Sequence, residues 1–393
     1  MVIDRGLALA MDAPRTATGE DVVELHVHGS PVVARETLRA LLHAGARAAG
    51  PGEFTRRAFV NGKLDLSAAE AVADLIDAES RAAARAAQAN LAGALRAAVD
   101  DVQARLSAVL EELAGAIDYP DEVAEPARER VCAVVDDADA RLDALVHDWE
   151  RGRAVREGVS LAIVGPPNAG KSSLLNALLR EDRAIVSEIA GTTRDVIEET
   201  FAVDGVAVRV LDTAGLRATD DAVERIGVDR ARRALEASAL ALVVVDGSRP
   251  LDRDAHAVLR ATRGCARIVL FNKRDLGSPG YDARDAEERE ALSGSVYDEA
   301  TLDAVRRAIA AAGWQGETID LARPHLASAR QAEAVARAAE ALAHARATLR
   351  AAEPVDLVAP DLLEAVAALG EVTGAAATEG ILDGVFARFC IGK

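Results

Sequence analysis

At 393 residues, half of them apolar, the chain can bury a sizeable core and divide into two or three domains. A formal charge of −18 argues against a simple nucleic-acid binder, because phosphate contacts need a basic surface; any RNA is expected at a local patch or through a partner. No uncharged apolar run of about 18 residues occurs, and Asp4 and Arg5 fall where a signal peptide would be apolar. Cys132, Cys265 and Cys390 are too few and scattered for a zinc site or disulfide framework, so a cytoplasmic protein with no membrane span is expected.

In chain order, residues 1–60 mix alternating stretches such as VVELHVHG with one helical run, VVARETLRALLHAG, that closes at Gly45, which predicts a small, partial α/β domain. His26 and His28 are predicted two apart on one strand face, a spacing that suits a metal but reads as structural without further clustered ligands. From Leu66 to Ile117, and again from Ala127 to Glu157, Ala- and Leu-rich sequence with charges at helical spacing predicts long, mutually packed helices. Between Ser160 and Ala311 the pattern changes. Short β-branched runs (LAIV, VAVRVLD, LALVVVD, RIVLFN) alternate with helical stretches, the signature of a doubly wound α/β domain. After Pro324 the helices return. An α/β unit between two helical stretches predicts an insertion: residues 158–318 set into a helical domain made of 61–157 and 319–393.

Three motifs carry chemistry. GPPNAGKS, residues 165–172, fits G-x-x-x-x-G-K-[ST] with a strand before it and a helix after it. Its backbone N–H groups would cradle phosphates, Lys171 would reach the β- and γ-oxygens, and Ser172 would ligate Mg²⁺. DTAG, residues 212–215, follows a hairpin predicted from Asp204-Gly205; Asp212 is placed near Mg²⁺ and the Gly215 N–H near the γ-phosphate. NKRD, residues 272–275, closes a strand and fixes the base: the Asp275 carboxylate can accept both N1–H and N2–H of guanine, Asn272 reaches N7, and the Lys273 stem lies over the purine. A fifth, Ser-Ala-Lys element is poorly matched; Ala291-Leu292-Ser293 is its nearest candidate. SEIAGTTRD, residues 187–195, sits where a first switch belongs, with Thr193 as its Mg²⁺ ligand and Thr192 as the alternative. Only four lysines occur, Lys63, Lys171, Lys273 and Lys393, which marks them as places where a compact charge or narrow stem is needed. Leu216, after DTAG, cannot orient a water as glutamine does in Ras.

GPPNAGKSSLLNALL, IAGTTRDVIEE, DTAGLR followed by DAVERIG, and NKRD together resemble the bacterial tRNA-modification GTPases of the MnmE (TrmE) family. TGEDVVELHVHG, PGEFTRRAFVNGKLDLSAAEAVADLIDA and the terminal FCIGK extend the likeness over nearly the whole chain. The G motifs alone leave an Era- or Der-like ribosome-assembly GTPase open. The resemblance implies a Ras-like G domain inserted into a helical bundle, with GTP or GDP held by Asn168, Ala169, Gly170, Lys171, Ser172, Ser173, Thr192, Thr193, Asp212, Thr213, Ala214, Gly215, Asn272, Lys273, Asp275 and Ser293. It implies homodimerising G domains activated by K⁺ at Asn168 with carbonyls of Ser187 and Ile189, and Glu224 as the water-orienting group beside the catalytic Lys171 and Asn168. Implied partners are tRNA and an FAD-dependent protein of the MnmG (GidA) type, and the implied product is a wobble uridine carrying an aminomethyl or carboxymethylaminomethyl group on carbon 5. A tetrahydrofolate derivative is the implied one-carbon donor, with Arg56, Lys63 and Cys390 as candidates for folate or tRNA contact. Family members begin with a strand and a T-P-P-G-x-G segment well upstream of the position of Met1; folate binding and constitutive dimerisation depend on that region, and its sheet is expected to leave an unpaired edge.

Overall fold

The computed structural model describes residues 2–78, 80–181, 199–211, 235–277, 291–314, 324–351 and 353–389, without the side chains of 150–156 and 181. Two compact units result. One comprises Met1–Asp77, Ala86–Trp149 and Ala322–Lys393; the other comprises Ala78–Arg85 and Glu150–Leu321. The N-terminal segment and the helices on either side of the insertion fall together in the first of these units. Phe59 packs with Leu66, Phe386 and Phe389 in one small core, which joins the N-terminal segment to the helices that follow it.

In the first unit, β1 (Leu7–Met11) pairs antiparallel with β2 (Val22–His26) in the register Leu7 to His26, and α1 (Pro31–His43) follows with no buried residue. Val2, Leu7, Val23 and Val32 are exposed. Then come α2 (Glu53–Val60), α3 (Leu66–Ile76), α4 (Arg81–Leu91), α5 (Ala94–Asp118) and α6 (Arg128–Glu157). Along α5 the buried side chains Leu95, Val99, Val102, Leu106, Val109 and Leu113 alternate spacings of four and three, which keeps one apolar seam on one helix face. That seam meets Val131, Val135, Ala138, Leu142 and Leu145 of α6, together with the two helices contributed from beyond the insertion. Those are α10 (Ala329–Arg350) and α11 (Ala359–Thr373), whose buried alanines at 334, 338, 341, 345, 365 and 368 are small enough to let the helices approach closely.

The start of α10 is fixed by a buried polar cluster. Glu70 of α3 accepts from Ser328 Oγ (3.1 Å) and Arg330 Nε (3.0 Å) on one oxygen, and from Arg330 Nη2 (2.7 Å) and Gln331 Nε2 (2.5 Å) on the other. All four lone-pair directions of a carboxylate only 5% exposed are thereby used, as a buried charge requires. Asn90 Nδ2 donates to the His325 carbonyl (2.9 Å), holding the same segment from α4. A short α12 (Glu379–Phe386) returns to α3 through Val385 and Phe386.

The second unit is built on a sheet of order β4-β5-β3-β6-β7-β8, from β3 (Val159–Val164), β4 (Glu199–Val203), β5 (Val206–Leu211), β6 (Leu240–Asp246), β7 (Arg267–Asn272) and β8 (Leu292–Ser293). All neighbours are parallel except the β4–β5 hairpin, whose turn uses Asp204 (φ 50°) and Gly205 (φ 83°) as the Asp-Gly signal predicts. Side chains alternate across the sheet. Leu161, Ile163, Leu242, Val244 and Leu270 face α7 (Lys171–Glu181) and α9 (Glu299–Trp314), whereas Ala162, Val164, Val243, Val245 and Phe271 face α8 (Arg253–Ala261). Helices on both faces bury both sides, which is why these strands read as near-continuous apolar runs. Ala82, on the first turn of α4, belongs to this unit: its N–H donates to the Gly205 carbonyl (3.3 Å) and its side chain joins the sheet core. Sequence pattern placed that residue with the helical domain, because its alanine-rich helix resembles its neighbours there.

Candidate nucleotide site

The segments that follow the carboxyl ends of the parallel strands β3 and β7 carry Asn168 to Ser173 and Asn272 to Asp275, the usual place for a ligand in an open α/β sheet. After β3 the chain must turn sharply into α7. At Gly165 an added Cβ would overlap the Val244 carbonyl oxygen, and at Gly170 (φ 99°) it would overlap Asn272 Nδ2. Only glycine fits either position. Asn168 stands between them in the left-handed region (φ 59°), exposed at the rim of the loop. The Lys171 ammonium donates to the carbonyls of Gly165 (2.9 Å) and Pro166 (2.8 Å), and burial pushes its pKa below the ordinary lysine value. Ser172 is exposed and Ser173 half-buried on the first turn of α7, where backbone N–H groups lack carbonyls of a preceding turn and favour an anion.

The base side is tied to this loop by one amide. Asn272, 1% exposed at the end of β7, donates from Nδ2 to the Ala169 carbonyl (2.8 Å) and accepts at Oδ1 from the Val296 N–H (3.0 Å). Beside it Lys273 takes a left-handed conformation (φ 66°) and its ammonium donates to Asp246 Oδ2 (3.0 Å). Burial pushes the Asp246 carboxyl up, but hydrogen bonds from Ser248 and Lys273 outweigh it and hold the group below its ordinary value. Asp275 lies exposed on a single 3₁₀ turn (Arg274–Leu276), with no hydrogen-bond partner among the described residues. Its two oxygens remain open to a bidentate donor such as the guanine N1–H and N2–H pair.

Several expected site residues are placed differently. Ser293 belongs to β8, paired with Phe271, and its side chain is exposed. The group that meets Asn272 comes three positions later, the Val296 N–H in the loop Ser295-Val296-Tyr297, because the parallel register of β8 with β7 carries the chain past Asn272 before it turns into α9. That loop is Ser-Val-Tyr where Ser-Ala-Lys was sought, so two of three letters concealed it. Its Ser295 N–H donates to Oγ1 of the buried Thr301 (3.2 Å), a positioning group that the motifs did not indicate. Asp246 was likewise missed, although an acid closing the apolar run LALVVVD was a usable signal. His26 ends β2 and pairs with Glu24 (3.1 Å), while His28 lies beyond the strand with Nδ1 on Asp4 (2.9 Å), so the two imidazoles do not share a strand face. Among the described residues no cluster of three or more metal-ligating side chains occurs. Arg56 pairs with Asp383 (3.0 Å), and the Lys63 side chain is exposed. Ser187, Ile189, Thr192, Thr193, Asp212, Thr213, Ala214, Gly215, Glu224 and Cys390 lie outside the described residues.

A phosphate loop and an Asn-Lys-x-Asp loop, joined through a buried asparagine at the strand ends, define a P-loop protein of the guanine-nucleotide-binding class. A family model described as the MnmE helical domain matches residues 66–390, and one described as the GTP-binding protein TrmE N-terminus matches residues 1–63. Proteins called tRNA modification GTPase MnmE match the whole chain: that of Symbiobacterium thermophilum is 46% identical over 399 residues, with 86% of its length covered. The one from Synechococcus elongatus is 41% identical over 396 residues with 86% covered, and that from Enterococcus faecalis 41% identical over 398 residues with 85% covered. The chain belongs to the MnmE (TrmE) family of tRNA modification GTPases. Among solved structures, the G domain of the FeoB iron transporter of T. maritima aligns with 39% of this chain and 98% of its own at 21% identity and a TM-score of 0.30. No helix among the described residues is long and apolar enough to cross a membrane.

Proposed function

We propose that this chain is a potassium-activated GTPase that hydrolyses GTP to GDP and phosphate and takes part, with an FAD-dependent partner of the MnmG (GidA) type, in 5-carboxymethylaminomethyl modification of the tRNA wobble uridine. The observation that carries the nucleotide reading is the Asn272 bridge, which sets the phosphate loop and the base loop in one frame while leaving Asp275 open. Lys171 is held within the loop by two carbonyls that a phosphate oxygen would replace as its partner. Its charge, costly where it stands, is then neutralised by the ligand.

Two cations fit the residues present. The exposed Ser172 hydroxyl, next to Lys171, suits a hard cation such as Mg²⁺ as an oxygen donor, with Thr193 as its proposed companion and Asp212 behind the cation's direct ligands. The Asn168 side chain, exposed on a left-handed residue at the loop rim, offers a neutral amide oxygen of the kind K⁺ takes, with the carbonyls of Ser187 and Ile189 completing the set. Positive charge there stabilises a loose phosphoryl-transfer transition state, the part an arginine finger plays elsewhere. Glu224 is assigned the orientation of water that Leu216 cannot perform. The G domains pair as a homodimer across this surface, and a cytoplasmic location follows from a tRNA substrate. A tetrahydrofolate derivative is assigned to the N-terminal region, with Arg56, Lys63 and Cys390 near the modification chemistry.

The test is GTP hydrolysis by the purified chain in potassium and in sodium at equal ionic strength. Stimulation by potassium that disappears in Asn168→Ala, together with slow turnover in Glu224→Ala, supports the assignment. Turnover indifferent to the cation refutes it.

A further inference from the structure

We infer that one end of the helical bundle, where the α5–α6 loop meets the α10–α11 connection, docks a protein that presents basic side chains around an apolar socket. The inference rests on the functional reading above for its occupant, the FAD-dependent partner, and goes beyond that reading in assigning the surface. Arg128, at the start of α6, donates from Nη1 to the Leu349 carbonyl (2.9 Å) and from Nη2 to the Glu353 carbonyl, so the two connections lie at one end of the bundle. Among the described residues, the exposed large apolar side chains of α5, α6, α10, α11 and their connections are Ile117, Tyr119, Val123, Leu357 and Leu363. All but Leu363, on the second turn of α11, fall at this end. Tyr119 is 60% exposed, yet its backbone is fixed: its N–H donates to the Gly115 carbonyl (2.9 Å), and its carbonyl accepts from the N–H groups of Glu122 (3.0 Å) and Val123 (2.9 Å). Leu357 sits on a 3₁₀ turn (Val355–Val358) whose flanking Val355 and Val358 are buried in the same core as Leu113 of α5. The core is thus complete without these exposed side chains.

Charge says what covers them. Residues 117–130 and 350–361 together carry eight carboxylates against three guanidiniums. Arg128 is spent on the two carbonyls and Arg130 on Glu112. Farther along α5 and α6 the acids are neutralised, Asp101 and Asp137 by Arg105 and Arg141. Here Asp118, Asp121, Glu122 and Glu125 are exposed and make no ion pair or side-chain hydrogen bond among the described residues. Asp118 closes α5, where the helix dipole disfavours an anion, so helix electrostatics do not account for it. Apolar side chains rimmed by unneutralised acids have the anatomy of a protein interface. RNA phosphates would be repelled, and a second copy of this end would set like charges against each other. A basic protein surface relieves that repulsion and buries the apolar centre.

Binding of the full chain to the purified MnmG-type protein, followed by biolayer interferometry over a series of salt concentrations, tests this. Ile117→Ser with Tyr119→Ser should speed dissociation about tenfold. Neutralising Asp118→Asn, Asp121→Asn, Glu122→Gln and Glu125→Gln together should slow association about tenfold at low salt and flatten its salt dependence. All six positions are exposed and outside the nucleotide site, so GTP turnover should match the parent and serve as the control for folding. If the parent does not bind the partner, the partner reading fails and this surface loses its occupant with it. If the parent binds and both variants bind as the parent does, the partner reading stands and the docking surface is overturned. A change in self-association by sedimentation, or in tRNA affinity, with partner binding unaltered gives this end another occupant and overturns it as well.

Discussion

Asn272→Ala isolates the bridge between the two nucleotide loops. Truncation strands two buried groups at once, the Ala169 carbonyl and the Val296 N–H, which the amide now satisfies at 2.8 and 3.0 Å. Each unsatisfied buried group costs about 1–3 kcal/mol, and water admitted to the gap recovers part of that, so a loss of about 2–4 kcal/mol is expected. The two tryptophans allow the loss to be located. Trp314 lies in the sheet core of the G unit, whereas Trp149 packs on the helical core. In a Trp149→Phe background, urea unfolding followed by Trp314 fluorescence reports the G unit, and at about 2 kcal/mol per molar urea the midpoint should fall by roughly 1–2 M without nucleotide. A shift below about 0.3 M, with an unchanged slope, would show that the bridge carries little of the unit's stability and that the loops are held by their own turns.

The Glu70 cluster and the Asp246 carboxylate yield two further expectations. Glu70→Gln leaves the Arg330 guanidinium without its counter-charge and should destabilise the helical unit by about 3 kcal/mol; the Glu70→Leu, Arg330→Leu pair should recover most of it. Trp149 fluorescence in a Trp314→Phe background reads this, and an equally unstable double variant would refute the unpaired-charge explanation. For Asp246, the folded pKa lies below the ordinary 3.8, so its contribution is complete above that value and lost as pH falls through the lower folded one. The stability gap between parent and Asp246→Asn should therefore be widest near neutrality and close below about pH 4, and a gap that stays constant through acid unfolding would contradict it.

Much of the molecule is legible in its order of residues. The heptad-like apolar seam of α5, the Asp-Gly turn, the β-branched strands and the glycines of the phosphate loop are local signals, set by backbone sterics and side-chain period within a few residues. GPPNAGKS and NKRD could be read as binding chemistry for the same reason, since each motif is one turn with its own required residue types. Other features depend on partners far apart in the chain. Glu70 is an ordinary helix acid until Arg330 and Gln331 arrive 260 and 261 positions later, and Ala82 looks like any helical alanine until it packs at Gly205. Ser293 is the nearest match to a Ser-Ala-Lys element in the sequence, but the register of β8 against β7 brings the Val296 N–H to Asn272. By itself the sequence determined the classes of element and the phosphate and base chemistry. Which distant groups share a hydrogen bond was decided by the tertiary structure, because such pairings depend on how strands and helices are packed and on no local pattern.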